Sequence, residues 1–482
     1  MVLVAIAMVA IIAMAALSID VITLYLAREE AQRAADAAAL AAARVISLSG
    51  MTGDTNNSDL SWQAVCGGPS SPASQAAIAV GTQSAVGGTV ATSTSVTYSA
   101  AGGSGADCSA MPPAFAVNPQ VTVVLTRASL PTFFSRIWGS TGNSVSATAV
   151  AEAYNPSNSG TFAGGTIIPV QPSCVKPWMV PNQDPRFPFL GIGTFCTPTG
   201  TACNKLVGLA DGSIQNPGIT LNGITAAGNT GVIGETFWLV PDCSYSGAPS
   251  GACSPLPIGN PQANLPPPGV QFKPQPNLLY VPGQAAYSPV AVPSCANVGA
   301  GGSPDYEPAI GGCDQSTQYQ CGVQNTAGNA PMIDLSENLG VSQDVTNGVQ
   351  CLIGEGDPGD SPPNGQDTFV NYAAPPVFPF QINAGINNPL GISGAPVTSS
   401  NSIVSLPIFD DSPPFALNPA GTTSVTIVGF LQVFINAVDP YGNIQVTVLN
   451  VAGCGNSGSG AIVSASPITG TSPVPIRLIT PP

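Results

Sequence analysis

The first 27 residues of the chain form an almost continuous apolar run. Residues 1–19 (MVLVAIAMVAIIAMAALSI) carry no charged side chain, Asp20 follows, and a second uncharged stretch extends to Ala27. About 20 apolar residues in a helix, at 1.5 Å per residue, span the hydrocarbon core of a bilayer. The pattern predicts a transmembrane anchor over residues 1–27.

A cleaved signal peptide is the alternative interpretation of this run. Ala13-Met14-Ala15 matches the A-x-A pattern of a processing site. Against cleavage, no basic residue precedes the run, and the run continues without a break into a helix-prone stretch. Three arginines follow the run (Arg28, Arg33 and Arg44), so the positive-inside rule alone places the rest of the chain in the cytoplasm. The cysteines described below argue for the opposite orientation, and one resolution is a short basic leader ahead of residue 1.

Residues 28–49 predict a helical extension of the anchor. The segment 28–48 (REEAQRAADAAALAAARVISL) is rich in alanine, the residue with the best helix propensity, and contains no glycine or proline. Small side chains allow a second helix to approach closely, so we predict a helix-packing or partner interface. Its predicted members are Asp20, Tyr25, Gln32, Ala34, Ala35, Asp36, Ala38, Ala39 and Ala42. For Asp20, simple contact with interfacial water is an equally good interpretation.

Alternating polar and β-prone residues after the helix predict strands in two regions. Residues 50–154 predict a small α+β domain, residues 155–165 (NPSNSGTFAGG) a turn-rich linker, and residues 166–482 a β-rich extracytoplasmic domain. Within the first domain we expect a loop over 50–72, helices over 73–85 and 133–138, and strands over 89–99, 121–127 and 144–154. Within the second we expect strands over 166–170, 234–240, 278–281, 403–409, 424–438, 444–451 and 474–479, with a turn at 439–443.

Composition excludes several functions. The net charge is −15 and only 7% of the residues are charged. Binding of nucleic acid needs clustered Lys and Arg, whereas the three lysines (Lys176, Lys205 and Lys273) lie far apart, so nucleic acid is not expected as a partner. The chain contains no histidine, which removes the commonest general base and metal ligand near neutral pH. We predict no catalytic residue, no metal and no cofactor.

Twelve cysteines, all beyond residue 65, predict structural disulfides. The absence of any C-x-x-C argues against zinc ribbons and thioredoxin-like redox motifs. The sequence leaves the pairing open. The spacings that suit short disulfide-closed loops are Cys196 to Cys203, Cys243 to Cys253, and Cys313 to Cys321. Because disulfides persist in oxidising compartments, we expect this part of the chain to lie outside the cytoplasm.

The N-terminal residues also resemble a known family. The stretch Leu17-Ser18-Ile19-Asp20-Val21, then Tyr25-Leu26-Ala27-Arg28, then the alanine-rich block of residues 31–43, is similar to the N-terminal domain of TadG-like Flp pilus-assembly proteins. A looser similarity extends to about residue 153. The resemblance implies an inner-membrane anchor and an exported C-terminal region that helps to build or anchor adhesive pili, without catalytic residues. It differs from true pilins, because no Gly followed by Glu precedes the apolar run, so we expect no prepilin-type cleavage.

Other candidate sites carry weaker signals. Residues 334–338 (DLSEN) resemble the D-x-S-x-S metal motif of von Willebrand A domains, but Asn338 replaces the final serine and no apolar strand precedes them. Four acidic residues between 355 and 367 lack the spacing of an EF-hand. We expect four further acidic residues at the surface and Trp178 in the core. These four are Glu235, Asp242, Asp305 and Glu307.

The sequence therefore predicts an α+β membrane-anchored protein. It has a long N-terminal helix, a small α+β unit, and a β-rich C-terminal region that is rich in Pro and Gly and contains disulfides. The first hypothesis is a single-pass structural component of a Tad/Flp pilus system in a bacterial inner membrane. Its expected partners are the lipid bilayer and other Tad or pilin-like proteins. The alternative is an extracytoplasmic adhesin or glycan-binding protein that contacts surface ligands through residues 166–482. A hydrolase with paired carboxylates is least favoured, since no catalytic motif is present.

Overall fold

The computed structural model describes many separate segments, which form two compact units. The described residues are 2–48, 61–100, 103–112, 115, 119–130, 142–153, 170–172, 174–185, 205–208, 232, 234–241, 277–283, 306–313, 319, 332–334, 343–355, 365–370, 382–388, 391–397, 400–412, 422–439, 442–453, 468–470 and 476–479. The first unit comprises Met1–Ser47, Thr55–Tyr154 and Ile476–Pro482, and the second comprises Leu48–Asp54 and Asn155–Pro475.

Strands outnumber helices among the described residues. The helices are α1 (Val2–Leu48), α2 (Ser61–Cys66), α3 (Pro72–Gln83), α4 (Tyr306–Gly311) and α5 (Gln343–Ile353). The strands of the N-terminal part are β1 (Ala85–Val86), β2 (Thr89–Val90), β3 (Ser93–Ala100), β4 (Gly103–Gly105), β5 (Gln120–Leu130) and β6 (Asn143–Ala153). The later strands are β7 (Val170–Pro172), β8 (Trp178–Pro181), β9 (Thr236–Pro241), β10 (Asn277–Pro282), β11 (Met332–Asp334), β12 (Thr368–Phe369), β13 (Ile382–Asn383), β14 (Pro396–Val397), β15 (Ile403–Phe409), β16 (Thr422–Ser424), β17 (Ile427–Val438), β18 (Ile444–Gly453), β19 (Ile468–Gly470) and β20 (Ile476–Ile479).

The first unit is built on a five-stranded antiparallel sheet in the order β20-β6-β5-β3-β4. Residues alternate along its central strands, because successive side chains of a strand point to opposite faces. Val121, Val123 and Leu125 of β5 are buried, while Thr122 and Thr126 on the other face are half-exposed. The sequence expectations for β5 and β6 are confirmed, and the predicted helix over 133–138 lies outside the described residues.

A small aromatic core closes one end of this unit. Trp62 of α2 stacks edge to face on Phe115, with ring centroids 5.4 Å apart, and the Tyr98 ring lies 6.3 Å from Phe115. A disulfide joins Cys66 to Cys108 beside them. The prediction of a loop throughout 50–72 is wrong, because Ser61–Cys66 is a helix. This helix is stabilised by a disulfide and a buried aromatic ring. Its six residues are too few to show the apolar periodicity by which a helix is recognised in a polar sequence.

The last described strand, β20, returns to the first unit. It pairs antiparallel with β6, so that Ile476 lies opposite Ala153, and Arg477 forms an ion pair with the buried carboxylate of Glu152. The sequence pattern had placed residues 474–479 in the β-rich domain of 166–482. The second unit is thus inserted between two adjacent strands of the first.

A closed six-stranded barrel forms the core of the second unit. Its strand order is β10-β8-β15-β17-β18-β9, with parallel pairing for β8 with β15 and for β9 with β10. The predicted hairpin is confirmed: β17 pairs with β18 around a turn in which Asp439 Oδ1 accepts the backbone N–H of Asn443. Gly442 has φ of 76° in this turn, a conformation that favours glycine.

Two helices cover the barrel core. Tyr306 and Ile310 of α4 and Val345 and Val349 of α5 belong to the same buried cluster as the barrel residues. The helices approach closely at Gly348, where an added Cβ would lie 2.8 Å from the Cβ of Ile310. Neither helix was predicted from the sequence. The only signal for each helix was one i, i+4 pair of apolar residues. The helices have six and eleven residues and lie within a region dense in glycine and proline.

Covalent and charged contacts hold α4 in place. Cys174 forms a disulfide with Cys313, and Lys176, which is buried, donates hydrogen bonds from Nζ to the carbonyl oxygens of Ile310 and Gly312. A cation at the C-terminal end of a helix satisfies carbonyls that have no partner within the helix. The sequence spacing suited a short disulfide-closed loop from Cys313 to Cys321. That interpretation is wrong, because Cys313 is bonded to Cys174, which lies 139 residues away.

Substitution of Arg477 with Ala should destabilise the first unit by about 2 kcal/mol, because the Glu152 carboxylate then remains buried without its cation. In a Glu152→Gln background the same substitution should have a smaller effect, since no buried charge is left. Thermal unfolding of the four detergent-solubilised chains measures the coupling. Equal effects of Arg477→Ala in both backgrounds would contradict a structural role for this ion pair.

Candidate functional site

One stripe of α1 is buried over the second half of the helix. Its members recur every three or four residues, the spacing that places side chains on one helix face. Each retains at most 3% of its accessible surface. They are Ala27, Ala31, Ala34, Ala35, Ala38, Ala39, Ala42, Ala43 and Ile46. Because alanine carries only a Cβ, the backbone of α1 lies close to the elements that cover this stripe, which is named the alanine stripe below.

The first unit itself contacts α1 along this stretch. Gln32 Nε2 donates to the backbone oxygen of Thr148 in β6 at 3.1 Å, and also to Asp36 Oδ1 at 2.8 Å. On the other flank, the backbone N–H of Gly87 in the β1–β2 turn donates to Glu30 Oε2 at 2.7 Å. The alternate residues Ala147, Ala149 and Ala151 of β6 are small and buried. Small side chains on both elements permit this close packing.

Gly87 is required where the turn meets the helix. Its φ is 59°, in the left-handed region that glycine adopts without steric penalty. A Cβ at this position would overlap the side chain of Leu130 and would lie 3.7 Å from the Cβ of Ala27. Glycine therefore allows the turn to reach α1 and to donate its N–H to Glu30.

The structure separates the predicted interface residues into two groups. The alanines of the predicted set are buried within the first unit, so their packing is intramolecular in the described part of the chain. Tyr25 is 65% exposed, and Gln32 lies at the rim of the packed face. Asp20 is 6% exposed, and its contact with interfacial water stays a prediction. The surface of α1 left for a partner is the side that bears Tyr25, together with the apolar first half.

The first half of α1 has no cover from the described chain. Its large apolar side chains remain 46–83% exposed over residues 3–19. The exposed members are Leu3, Val4, Ile6, Met8, Ile11, Ile12, Met14, Leu17 and Ile19. The segment Ile6–Ser47 is long and apolar enough to cross a membrane, a property that N-terminal signal sequences share. An apolar surface of this extent on a soluble monomer is unusual and marks contact with a membrane or a protein.

A half-open cavity of about 280 Å³ lies where the exposed and buried parts of α1 meet. The helix supplies Asp20, Leu24 and Glu30, and the β1–β2 turn and the ends of β5 and β6 supply the opposite wall. Asp20 precedes Ala27 by seven residues, or two turns, and so continues the alanine stripe. The described lining includes the side chains of Asp20 and Glu30.

Glu30, Gly87 and Leu130 are site residues that the sequence did not reveal. Glu30 follows the apolar run with other charged residues, and nothing in its spacing distinguishes it from Glu29. Gly87-Gly88 is a turn signal, but its position against the helix depends on tertiary structure. The contact between residues 57 positions apart could not be read from either segment alone.

The weaker sequence candidates lie elsewhere in the described chain. The expectation that Glu235 and Glu307 are surface groups is wrong, because both are fully buried. Glu307 belongs to α4 and Glu235 immediately precedes β9, so each is enclosed when these elements pack around the barrel core. Trp178 is buried as expected. Asp242 and Asp305 lie outside the described residues.

The candidate metal motif begins at the end of a short strand. Asp334 closes β11 and pairs with Thr422 of β16, whereas residues 335–338 lie outside the described chain. Within the described ranges, no group of three or more Cys, Asp or Glu side chains is arranged to hold a metal ion. Asp367 instead accepts hydrogen bonds from the backbone N–H of Gly385 and the side chain of Asn388. The carboxylate thereby links neighbouring loops.

A second polar cluster lies beside β15. Gln183 Nε2 donates to Asp411 Oδ2, and Lys205 Nζ donates to Ser412 Oγ at 2.7 Å. Burial raises the pKa of Asp411, an effect that the hydrogen bond from Gln183 and the charge of Lys205 partly offset. The Lys205–Ser412 hydrogen bond links the segment 205–208 to the end of β15.

Substitution of Ala39 with Leu should destabilise the first unit by about 1–3 kcal/mol, because the added carbons enter a fully packed contact. Ala37→Leu is the matched control, since Ala37 is exposed on the same helix and should change stability by less than about 0.5 kcal/mol. Thermal unfolding in detergent compares the two. Equal stability of both variants would show that the alanine stripe is not tightly packed.

The Asp411→Asn substitution should make stability less dependent on pH. Because the folded-state pKa of Asp411 is raised, the native chain binds the proton more tightly than the unfolded chain. Its stability therefore falls as pH rises from the ordinary Asp value towards the folded one. The amide keeps an acceptor for Gln183 but cannot ionise. The free energy of unfolding of Asp411→Asn, relative to that of the wild type, should thus grow as the pH rises above about 4, the ordinary pKa of Asp, in denaturant unfolding. A constant difference across this range would contradict the burial effect.

The comparisons with known proteins address the N-terminal segment. A Tad family model, described as "Putative Flp pilus-assembly TadE/G-like", matches residues 1–45. The comparisons with curated proteins and with solved structures gave no match. The matched range covers the apolar half of α1 and nearly all of the alanine stripe, and it confirms the resemblance based on residues 17–43. The looser similarity up to residue 153 stays a prediction. Residues 1–45 are therefore similar to the Tad domain of TadE/G-like Flp pilus-assembly proteins.

Proposed function

We propose that the chain is a membrane-anchored structural component of a Tad/Flp pilus system. The observation that carries this proposal is the division of α1 within the Tad domain. Its first half exposes apolar side chains, and its second half is buried in a folded unit. A continuous helix of this kind would fix the first unit relative to the bilayer, because no flexible segment separates the two.

The first half of α1 has the dimensions of a membrane anchor. Residues 2–19 contribute about 27 Å at 1.5 Å per residue, and the exposed apolar side chains Val21, Ile22 and Leu26 extend this length beyond the roughly 30 Å of a hydrocarbon core. Tyr25 lies near the end of this run. Tyrosine is enriched at the boundary between membrane and water. The anchor thus extends to about residue 27.

The disulfides support an extracytoplasmic location for both units. Cys66 pairs with Cys108 in the first unit and Cys174 with Cys313 in the second, and Cys351 is disulfide-bonded as well. Such bonds persist in oxidising compartments and are rare in the cytosol of mesophiles. This argument outweighs the opposite orientation that the positive-inside rule predicts from the arginines after the apolar run.

Partner contacts then fall on the surfaces that intramolecular packing leaves open. The alanine stripe holds the first unit to its own helix, so other pilus components would meet the apolar half of α1 within the bilayer and the side that bears Tyr25. In a bilayer, close packing rather than hydrophobic burial drives association of helices. The proposed role is therefore assembly through helix contacts, without a chemical step.

A second candidate function concerns the barrel unit. Residues 155–475 enter and leave the first unit at the adjacent ends of β6 and β20. This insertion is typical of a module that can be displayed on a host domain without disturbing it. It favours an adhesin role in which the barrel unit binds carbohydrate or matrix. Binding of the full chain to a glycan array, abolished by changes in the barrel unit alone, would support this function.

The anchoring role predicts that Ile11→Arg combined with Ile12→Arg removes the chain from the membrane. Two arginines near the centre of the apolar run oppose insertion by about 5–7 kcal/mol in total. Ala37→Arg, at an exposed position of the same helix, is the control and should leave membrane fractionation unchanged. Fractionation of cells and pilus counts by electron microscopy provide the measurements. Normal piliation with the double variant in the soluble fraction would contradict the proposal.

The location of the two units is tested separately with a bulky maleimide on intact chains. Cys66, Cys108, Cys174, Cys313 and Cys351 should resist modification until a reductant is added, since all are disulfide-bonded. Modification of these thiols without reductant, in freshly broken cells, would place the units in the cytoplasm.

A further inference from the structure

The β1–β2 hairpin meets α1 at the point where the proposed anchor ends. Gly87, at the tip of the hairpin, donates its backbone N–H to Glu30 Oε2 at 2.7 Å. A Cβ built on Gly87 would lie 3.7 Å from the Cβ of Ala27. Ala27 and Glu30 are three residues apart, which is about 4.5 Å along the helix axis. The hydrogen bond and the close approach together fix the hairpin tip to this short stretch of α1.

The dimensions of a bilayer place this stretch of helix among the lipid headgroups. A bilayer is about 40–45 Å thick and its hydrocarbon core about 30 Å, so each headgroup layer is about 5–7 Å deep. This depth corresponds to about four or five residues of a helix that crosses the membrane. If the hydrocarbon core ends at Ala27, the headgroup layer extends to about Ala31. The tip of the hairpin then lies inside this layer.

The neighbouring end of the sheet reaches the same level. Leu130 of β5 pairs with Asn143 of β6, and both residues line the cavity that is also lined by Asp20 and Glu30. Asp20 precedes Ala27 by seven residues, or about 10 Å along the axis. This end of the first unit therefore does not stop above the anchor, but overlaps with its last two turns.

The composition of the hairpin is compatible with a position among headgroups. Residues 60–106, which include the hairpin, contain no Asp, Glu, Lys or Arg. Gly88, Thr89 and Val90 are exposed, and Val90 retains 56% of its accessible surface. A single exposed valine is ordinary on a protein surface, but Val90 is only three residues, or at most about 10 Å, from Gly87. An uncharged hairpin can enter the headgroup layer without the cost of desolvating a charge.

We propose that the β1–β2 hairpin is a second membrane contact, with lipid as the occupant of its exposed surface. Gly88 and Thr89 lie among the headgroups, and the Val90 side chain lies against the upper part of the acyl chains. Lipid is favoured over a protein partner because this surface is continuous with the exposed apolar side of α1, which the bilayer surrounds on both sides of Leu26. A contact beside the anchor would also restrict the tilt of the first unit. This inference rests on the proposed membrane anchoring of α1.

Photo-crosslinking of the full chain in phosphatidylcholine vesicles tests the contact. The photoreactive residue p-benzoylphenylalanine replaces Val90 in one variant and Thr97 in the matched control. Thr97 is also exposed, but it pairs with Thr122, which is eight residues or about 26 Å from Leu130 along β5. We expect several-fold more lipid adduct, measured by mass spectrometry, at position 90 than at position 97. An anionic lipid should not be needed, because the hairpin carries no charge.

Quenching of tryptophan fluorescence provides a second measurement that does not depend on crosslinking chemistry. The variants Val90→Trp and Thr97→Trp are compared with the wild type, whose four tryptophans supply the same background in each chain. Lipids brominated near the headgroup end of the acyl chains should quench the added fluorescence of Val90→Trp but not that of Thr97→Trp. Equal lipid adducts at positions 90 and 97, equal quenching of the two tryptophan variants, or crosslinking of position 90 to a protein instead of lipid would overturn the proposal.

A third probe position distinguishes failure of this contact from failure of the anchoring proposal. Leu17 lies within the apolar half of α1 and is 54% exposed, so p-benzoylphenylalanine at this position reports anchoring alone. A lipid adduct at position 17 without one at position 90 refutes the hairpin contact only, and places the membrane boundary nearer to Asp20. The absence of a lipid adduct at position 17 refutes the anchoring role as well.

Discussion

The packing of α1 against its own unit is the constraint on which the rest of the structure depends. A free helix of 47 residues would leave the apolar side chains of its first half and the alanines of its second half exposed to water. The alanine stripe removes this difficulty on one side, since its small residues allow the sheet to cover the helix backbone closely. The apolar half then needs a surrounding medium other than water. One continuous element therefore satisfies two environments, and the change between them occurs over the residues from Asp20 to Ala27.

The second unit is stabilised by different means. Its barrel has a conventional apolar core, but large parts of the sequence around it are rich in glycine and proline. The Cys174–Cys313 disulfide and the hydrogen bonds of the buried Lys176 together fix α4 within this loop-rich sequence. Only 7% of the residues are charged, so hydroxyl and amide groups provide most of the polar surface instead.

Sequence patterns predicted the local elements better than their arrangement. The strands at 403–409 and the hairpin around Asp439 follow from alternating residues and turn chemistry, and the helix to Leu48 follows from alanine propensity. Closure of the barrel depends on parallel pairing between distant strands, which no local pattern encodes. The alanines were recognised as a packing surface, but the sequence could not show that the covering element would be the chain's own sheet. The burial of Glu235 and Glu307 was missed for the same reason, because burial of a charge is a tertiary property.

The pairing of β20 with β6 also sets an order of events in synthesis. Glu152 and Arg477 are 325 positions apart, so the edge of the N-terminal sheet stays unfilled while the inserted unit is synthesised. At roughly 5–20 residues per second, this interval lasts about 15 to 65 seconds. During that time the nascent sheet presents an open strand edge and an uncompensated carboxylate. A chain interrupted before residue 476 would lack both the strand that fills this edge and the cation that neutralises Glu152.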